Sequence, residues 1–115
     1  MVNDSVPTNE SPCRLFVYGL LLRPDVRNFL GVAGDQWKHG VCVQDYVLTY
    51  EWGDTVQSIV RIVPKSHGAV FGSTAAFTDE ELARMDVFEG VANGLYSRGR
   101  IATDDGAAWC YFGNA

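Results

Sequence analysis

A carboxylate becomes useful for acid-base catalysis when it is buried, so the informative acid in a sequence is one whose position disagrees with its polarity. Counting from Thr78 at about 100° per residue places Leu82, Met85 and Glu89, at steps of three and four, on one face of a helix. That face is the apolar one, and Glu80, Glu81 and Arg84 lie away from it. A glutamate held there loses hydration, its pKa rises, and near neutral pH it can act as general base or general acid. Spacing alone leaves two other readings open. The helix can end before Glu89 and release the side chain to solvent, or Arg98 or Arg100 can hold the carboxylate in a structural ion pair.

Other chemistries lack their residues. The chain has no G-x-G-x-x-G, no P-loop and no H-E-x-x-H, which leaves dinucleotide, P-loop nucleotide and zincin chemistry without an anchor. His39 lies between Lys38 and Gly40, and His67 in a Lys-Ser-His-Gly turn. Both read as surface residues rather than metal ligands or a nucleophile's base. With no G-x-S-x-G and no base placed near a serine, a hydrolase triad has no support. No metal and no cofactor are expected.

Cys13, Cys42 and Cys110 are odd in number and widely spaced, so they read as free thiols of a reducing compartment. Cys42 and Cys110, among apolar neighbours, read as small buried hydrophobes. Fourteen acids against nine scattered bases give a formal charge of −5, which argues against a nucleic-acid partner. The apolar run Leu15 to Leu22 is too short to span a membrane, which takes about 20 residues. The stretch before Arg14 carries Asp4 and Glu10 but no base, unlike a secretory leader. The expected setting is the cytoplasm, with no membrane partner.

The elements that must position these residues follow from local signals. At 115 residues and 47% hydrophobic content the chain suits one core. Residues 1–13 read as a disordered tail and 14–115 as the domain. Leu15-Phe16-Val17-Tyr18 is a buried strand ended by Gly19. Pro24 and Asp25 start a short helix that Gly31 stops. Trp37 to Tyr50, Val56 to Val63 and Ala69 to Phe77 read as strands, with Pro64 to Gly68 as a turn. Thr78 and Glu81 form a capping box, with Asp79 and Glu80 beside it in the first turn, and Gly90 marks the helix end. Tyr96 to Thr103 and Ala107 to Phe112 flank the hairpin signal Asp104-Asp105-Gly106. Five or six strands with one or two helices, in no regular alternation, make the fold class α+β: a small mixed, mostly antiparallel sheet, curved and barrel-like, with flanking helices.

Two stretches in this order carry a family resemblance: Phe16-Val17-Tyr18-Gly19-Leu20-Leu21, and Met85-Asp86-Val87-Phe88-Glu89-Gly90 followed by Leu95-Tyr96-Ser97-Arg98. Between them Gly68-Ala69-Val70-Phe71-Gly72 looks like a glycine-bearing middle strand. The chain resembles the γ-glutamyl cyclotransferase-like superfamily, and within it the small γ-glutamylamine cyclotransferase and avirulence-induced-protein branch, from about Arg14 to Phe112. The resemblance implies a cofactor-independent enzyme, of lyase or acyltransferase chemistry, that releases 5-oxoproline from a γ-glutamyl amine, amide or peptide. It puts the catalytic glutamate on Glu89 and substrate contacts on Tyr18, Gly19, Leu20, Leu21 and Tyr96. In such a substrate the α-amino group attacks the δ-carbonyl of its own molecule. The protein then supplies position and proton management rather than a nucleophile. Gly19 lets the chain turn so that amides of the loop can meet a carboxylate or a developing oxyanion, and Tyr18 or Tyr96 can donate a hydroxyl hydrogen bond. Where the family loop carries serine or threonine after the glycine, this chain has Leu20. The backbone donor survives the change and the side-chain hydroxyl does not. This leaves a non-catalytic small-ligand-binding or interaction module on the same fold as the alternative.

Overall fold

The first strand alternates its side chains between two buried surfaces, and the rest of the molecule is built around it. The structure, a computed structural model, describes residues 14–52 and 58–114; the expected tail, residues 1–13, lies outside them. Strand β1 (Arg14–Val17) is followed by a single 3-10 turn (Leu20–Leu22) and helix α1 (Pro24–Leu30). Then come β2 (Asp35–Trp52), β3 (Ser58–Ala76), helix α2 (Asp79–Phe88), a second 3-10 turn (Val91–Asn93), β4 (Tyr96–Thr103) and β5 (Gly106–Gly113). The sheet order is β2-β3-β1-β5-β4. β1 runs antiparallel to β3 and parallel to β5, meeting the latter at Leu15 and Trp109; the two hairpins are antiparallel. The class is α+β, with a mixed and mostly antiparallel sheet, as the sequence pattern suggested.

Leu15 and Val17 point into a cluster with Leu21, Val32, Ala75, Phe77, Leu82, Met85 and Tyr111, where both helices pack. Phe16 points the other way, into the concave side, among Val41, Val43, Ile62, Val70, Ile101, Ala108 and Cys110. Period-2 alternation thus buries both faces of one short strand. Gly72 on β3 permits the closeness this requires. A Cβ there would collide with the Val17 carbonyl and sit 3.0 Å from the Phe16 ring.

Two expectations are corrected. Pro64 to Gly68 does not turn the chain; it is a bulge inside one long strand. Tyr46 pairs with Pro64 and Gln44 with Ala69, so the intervening residues loop out opposite Asp45, whose side chain accepts the His67 N–H at 3.2 Å. The expected start of that strand at Val56 lies outside the described residues. The sheet also does not close into a barrel. Its two edges are tied where Asp104, in the turn of the β4–β5 hairpin, bonds the β2 backbone. The Asp104 N–H donates to the Cys42 carbonyl and the Cys42 N–H to Asp104 Oδ1, both at 3.0 Å. Lys38 on β2 pairs with Asp105 of the same turn at 2.8 Å. Cys110 is fully buried as expected, whereas Cys42 is half-buried.

Helix α2 begins as its capping box dictates. Thr78 Oγ1 accepts the Glu81 N–H at 3.1 Å, and Glu81 Oε1 accepts the Thr78 N–H at 2.9 Å. The second Glu81 oxygen takes the Ala33 N–H at 3.0 Å, and Arg84 donates to the Gly31 carbonyl at 2.9 Å, which ties α2 to the end of α1. Thr78→Ala is expected to destabilise the protein by about 1 kcal/mol. An unchanged urea midpoint would show that the cap contributes nothing.

Candidate active site

Glu89 sits at the other end of this helix. Its N–H still donates to the Met85 carbonyl at 2.9 Å, and its backbone angles, φ −80° and ψ −2°, continue the helical phase. Gly90 then takes φ +69°, a conformation that suits glycine, and the Leu95 side chain packs where a Cβ would stand. Regular helix does stop one residue short of Glu89, but the cap conformation keeps the side chain over the face of the fully buried Met85 instead of releasing it to solvent.

The half-buried carboxyl of Glu89 opens into a cleft of about 60 Å³, room for several water-sized groups. The cleft is lined by the end of β1 and the loop beyond it (Phe16, Val17, Tyr18, Gly19, Leu21), by Val60 of β3, and by Tyr96 and Tyr111. Of the residues singled out in the sequence, Glu89, Tyr18, Gly19, Leu21 and Tyr96 therefore meet at one site. Leu20 lies in the same loop, with its side chain outside the described part. Val60 and Tyr111 carried no local signal. Tyr111 reaches the cleft because β5 pairs with β1, a contact between distant parts of the chain.

The hydrogen bonds fix the walls. The Tyr18 hydroxyl donates to the Tyr111 carbonyl at 2.5 Å and the Tyr96 hydroxyl to the Val60 carbonyl at 2.8 Å. The Tyr111 hydroxyl donates to Asp86 Oδ1 at 2.6 Å. Arg98 forks onto Asp86, Nε to Oδ1 at 2.9 Å and Nη2 to Oδ2 at 3.1 Å. The ion pair that sequence spacing allowed for Glu89 is made by Asp86 instead. Arg100 lies over Trp109, its guanidinium carbon 5.0 Å from the ring centre.

Two glutamates of one helix consequently titrate in opposite directions. Glu81 is partly desolvated, but the hydrogen bonds it accepts from the Thr78, Ala33 and Gly34 N–H groups and the Thr78 hydroxyl hold it below the ordinary carboxylate range. Glu89 is desolvated with no compensating donor among the described residues, and burial pushes it up to about 7. Burial first, and then the Glu89 charge, push the Cys110 thiol up to about 12 and raise Tyr96. Tyr18 and Tyr111 are raised well above the tyrosine range, chiefly by burial. Near pH 7 the cleft holds one group poised to exchange a proton, amid tyrosines that stay neutral. His39 and His67 are exposed and remote from it. Among the described residues no three His, Cys, Asp or Glu side chains are grouped so as to hold a metal, and no helix is long and apolar enough to cross a membrane.

The family model for gamma-glutamyl cyclotransferase, AIG2-like proteins matches residues 15–115. The chain belongs to that family. The cyclotransferase fold recurs in solved structures: an uncharacterized human protein superposes with a TM-score of 0.72 at 22% identity, covering 92% of this chain and 69% of its own. A structure named gamma-glutamyl cyclotransferase gives 0.70 at 20% identity, with 88% and 66% covered. An Arabidopsis thaliana protein solved in solution gives 0.69 at 24%, with 87% and 67% covered. This cyclotransferase-family chain thus spans about two thirds of the length of those proteins. Among curated proteins none matches it significantly.

Proposed function

We propose that this chain is a cofactor-independent gamma-glutamyl cyclotransferase, carried by a domain of residues 14–115, that releases 5-oxoproline from a γ-glutamyl amine, amide or peptide. The observation that carries the reading is the Glu89 carboxyl, lifted to about 7 by burial, in the same cleft as the loop that follows β1. Glu89 takes a proton from the substrate's α-ammonium. The freed amine attacks the δ-carbonyl and the five-membered ring closes; the C–N bond to the departing amine breaks as Glu89 returns the proton to it, and the surplus proton of the ring nitrogen follows, leaving the lactam N–H and a free ammonium. The attack is intramolecular, so holding the γ-glutamyl chain folded supplies much of the acceleration.

Among the described residues that line the cleft none is cationic. The substrate's α-carboxylate and the developing oxyanion therefore fall to backbone N–H groups of Gly19 to Leu21, a reading supported by the turn itself. The Leu22 N–H closes it on the Gly19 carbonyl at 2.9 Å and leaves the earlier N–H groups out of that bond. Tyr18 and Tyr96 shape the walls and keep water from the carboxyl. Leu20, in place of a hydroxyl residue, shifts substrate choice. A cytoplasmic setting goes with this reading, since Cys42 and Cys110 are unbridged.

The test is incubation with a panel of γ-glutamyl amino acids and ε-(γ-glutamyl)-lysine, with 5-oxoproline measured by chromatography. Product from at least one member is expected. Calorimetric binding without product from any member would establish the non-catalytic binding module in its place, and neither binding nor product would remove both.

A further inference from the structure

Four described hydroxyl and thiol groups lie within electrostatic reach of Glu89, and each gives its proton to another acceptor. Burial first, and then the Glu89 charge among other causes, raises the pKa of Tyr18, Tyr96, Cys110 and Tyr111. The Tyr18 hydroxyl and the Cys110 thiol both donate to the Tyr111 carbonyl, at 2.5 and 3.7 Å. The Tyr96 hydroxyl donates to the Val60 carbonyl at 2.8 Å and the Tyr111 hydroxyl to Asp86 Oδ1 at 2.6 Å. A carbonyl oxygen only accepts, so the partner fixes the direction of the Tyr18 and Tyr96 bonds. A phenol carries one proton and two lone pairs. With that proton on a main-chain carbonyl, Tyr18 and Tyr96 can offer a molecule in the cleft only an acceptor oxygen. Turning the Tyr18 hydroxyl towards a ligand would leave the carbonyl of Tyr111, a residue 3% exposed, with only the weak thiol donor named above.

We propose that Tyr18 and Tyr96 form, with Glu89, an ammonium-binding subsite, in which the two phenol oxygens accept N–H bonds from the substrate's α-ammonium and hold it against the carboxyl. This deepens the cyclotransferase reading and rests on it for the identity of the ammonium. The expectation that Tyr18 or Tyr96 donates to the substrate is thereby reversed.

An ammonium has three donors and no acceptor, which suits walls that only accept. One N–H meets Glu89 and the other two meet the phenol oxygens. When Glu89 has taken its proton, the amine keeps two N–H groups and stays tethered as it attacks. No described lining residue is cationic, and Arg61 of β3, whose charge reaches Tyr96, lies outside the lining and donates to the Asn114 carbonyl at 3.0 Å. A carboxylate gains nothing from acceptor walls and goes to the main-chain N–H groups of Gly19 to Leu21. The two ends of the substrate are thus sorted by bond type, and this sets which way round it enters.

The test compares two ligands that differ only in the α-ammonium, L-glutamine and its des-amino analogue glutaramate, on Glu89→Gln, where turnover is slowed. NMR shift titrations give Kd for each. L-Glutamine is expected to bind about 100-fold tighter, and Tyr18→Phe and Tyr96→Phe, each added to that protein, to cut the preference about tenfold while glutaramate binds as before. A preference unchanged in either variant, equal weakening of both ligands, or no binding of L-glutamine overturns the proposal. Should a phenylalanine variant not fold, the hydroxyl protons of Glu89→Gln saturated with L-glutamine decide. Slowly exchanging Tyr18 and Tyr96 hydroxyl signals that keep their coupling to the Tyr111 and Val60 carbonyl carbons support the subsite, and loss of either coupling overturns it. Formation of 5-oxoproline by the wild type with a preference that neither variant moves removes the subsite alone. A preference that falls as expected, with no product from any substrate, removes the turnover alone.

Discussion

Glu89→Gln is expected to lower kcat for 5-oxoproline release by about 10²–10⁴-fold, the usual contribution of a positioned general acid-base group. Glutamine preserves the volume and the cleft contacts, so KM should change far less than kcat; the proton transfer alone is removed. The pH profile gives the sign. Glu89 must be unprotonated to accept the α-ammonium proton, and burial sets its pKa at about 7. kcat/KM should therefore fall about tenfold per pH unit below that value, and this acid limb should vanish in the glutamine variant. Steady-state rates between pH 5 and 9 read both features. Undiminished turnover by Glu89→Gln would remove the carboxylate from the mechanism.

The same substitution should make the protein more stable, and only at neutral to alkaline pH. The folded pKa of Glu89, about 7, lies above the ordinary 4.5, so the native state binds this proton more tightly than the unfolded chain. The linked stabilisation is fully present below pH 4.5 and is lost as pH rises through about 7. A shift of this size corresponds to about 3 kcal/mol. Urea denaturation of wild type and Glu89→Gln should therefore converge near pH 5 and separate by up to about 3 kcal/mol at pH 8, with the variant more stable. Asp25, Asp105 and Glu81 are held low and titrate in the acid range, so they leave this window undisturbed. Equal stabilities at pH 8 would mean that Glu89 is hydrated in the folded protein. Stability given up at a catalytic carboxylate is the expected cost of keeping it desolvated and unpaired.

The two outcomes pull in opposite directions, and this separates a working acid from a structural one. Neutralising a carboxylate held in an ion pair destabilises the fold, as it would at Asp86, which accepts the Arg98 fork and the Tyr111 hydroxyl. Neutralising Glu89 is expected to stabilise it.

Local chemistry made much of this molecule legible. The capping box at Thr78 and Glu81 and the glycine at position 90 bracket α2, because both act within a turn of the chain. The phase of Leu82 and Met85 marked the buried face and set Glu89 at its end. The alternation of Leu15, Phe16 and Val17 gave the first strand, and Asp104-Asp105-Gly106 the last hairpin. Pro64 to Gly68 misled because proline, serine and glycine signal equally a turn and a bulge. Only pairing with β2 across Tyr46 and Gln44 selects the bulge.

What the sequence determined by itself is therefore the α+β class, the helix with its misplaced glutamate, and the loop after β1 as residues to watch. Only the tertiary structure decided that these belong to one site. Parallel pairing of β1 with β5 brings Tyr111 against Tyr18, and β4 sets Tyr96 opposite Glu89. It also decided which acid takes the arginine. Helical spacing puts Asp86 and Glu89 within reach of the same guanidinium, and spacing cannot choose between them. The fork geometry, the Trp109 face and the Tyr111 hydroxyl assign Arg98 to Asp86, leaving Glu89 desolvated and without a partner among the described residues. Charge pairing and desolvation depend on distances between strands and helix that no local pattern encodes, and those distances set the state of the one carboxylate on which the proposed chemistry rests.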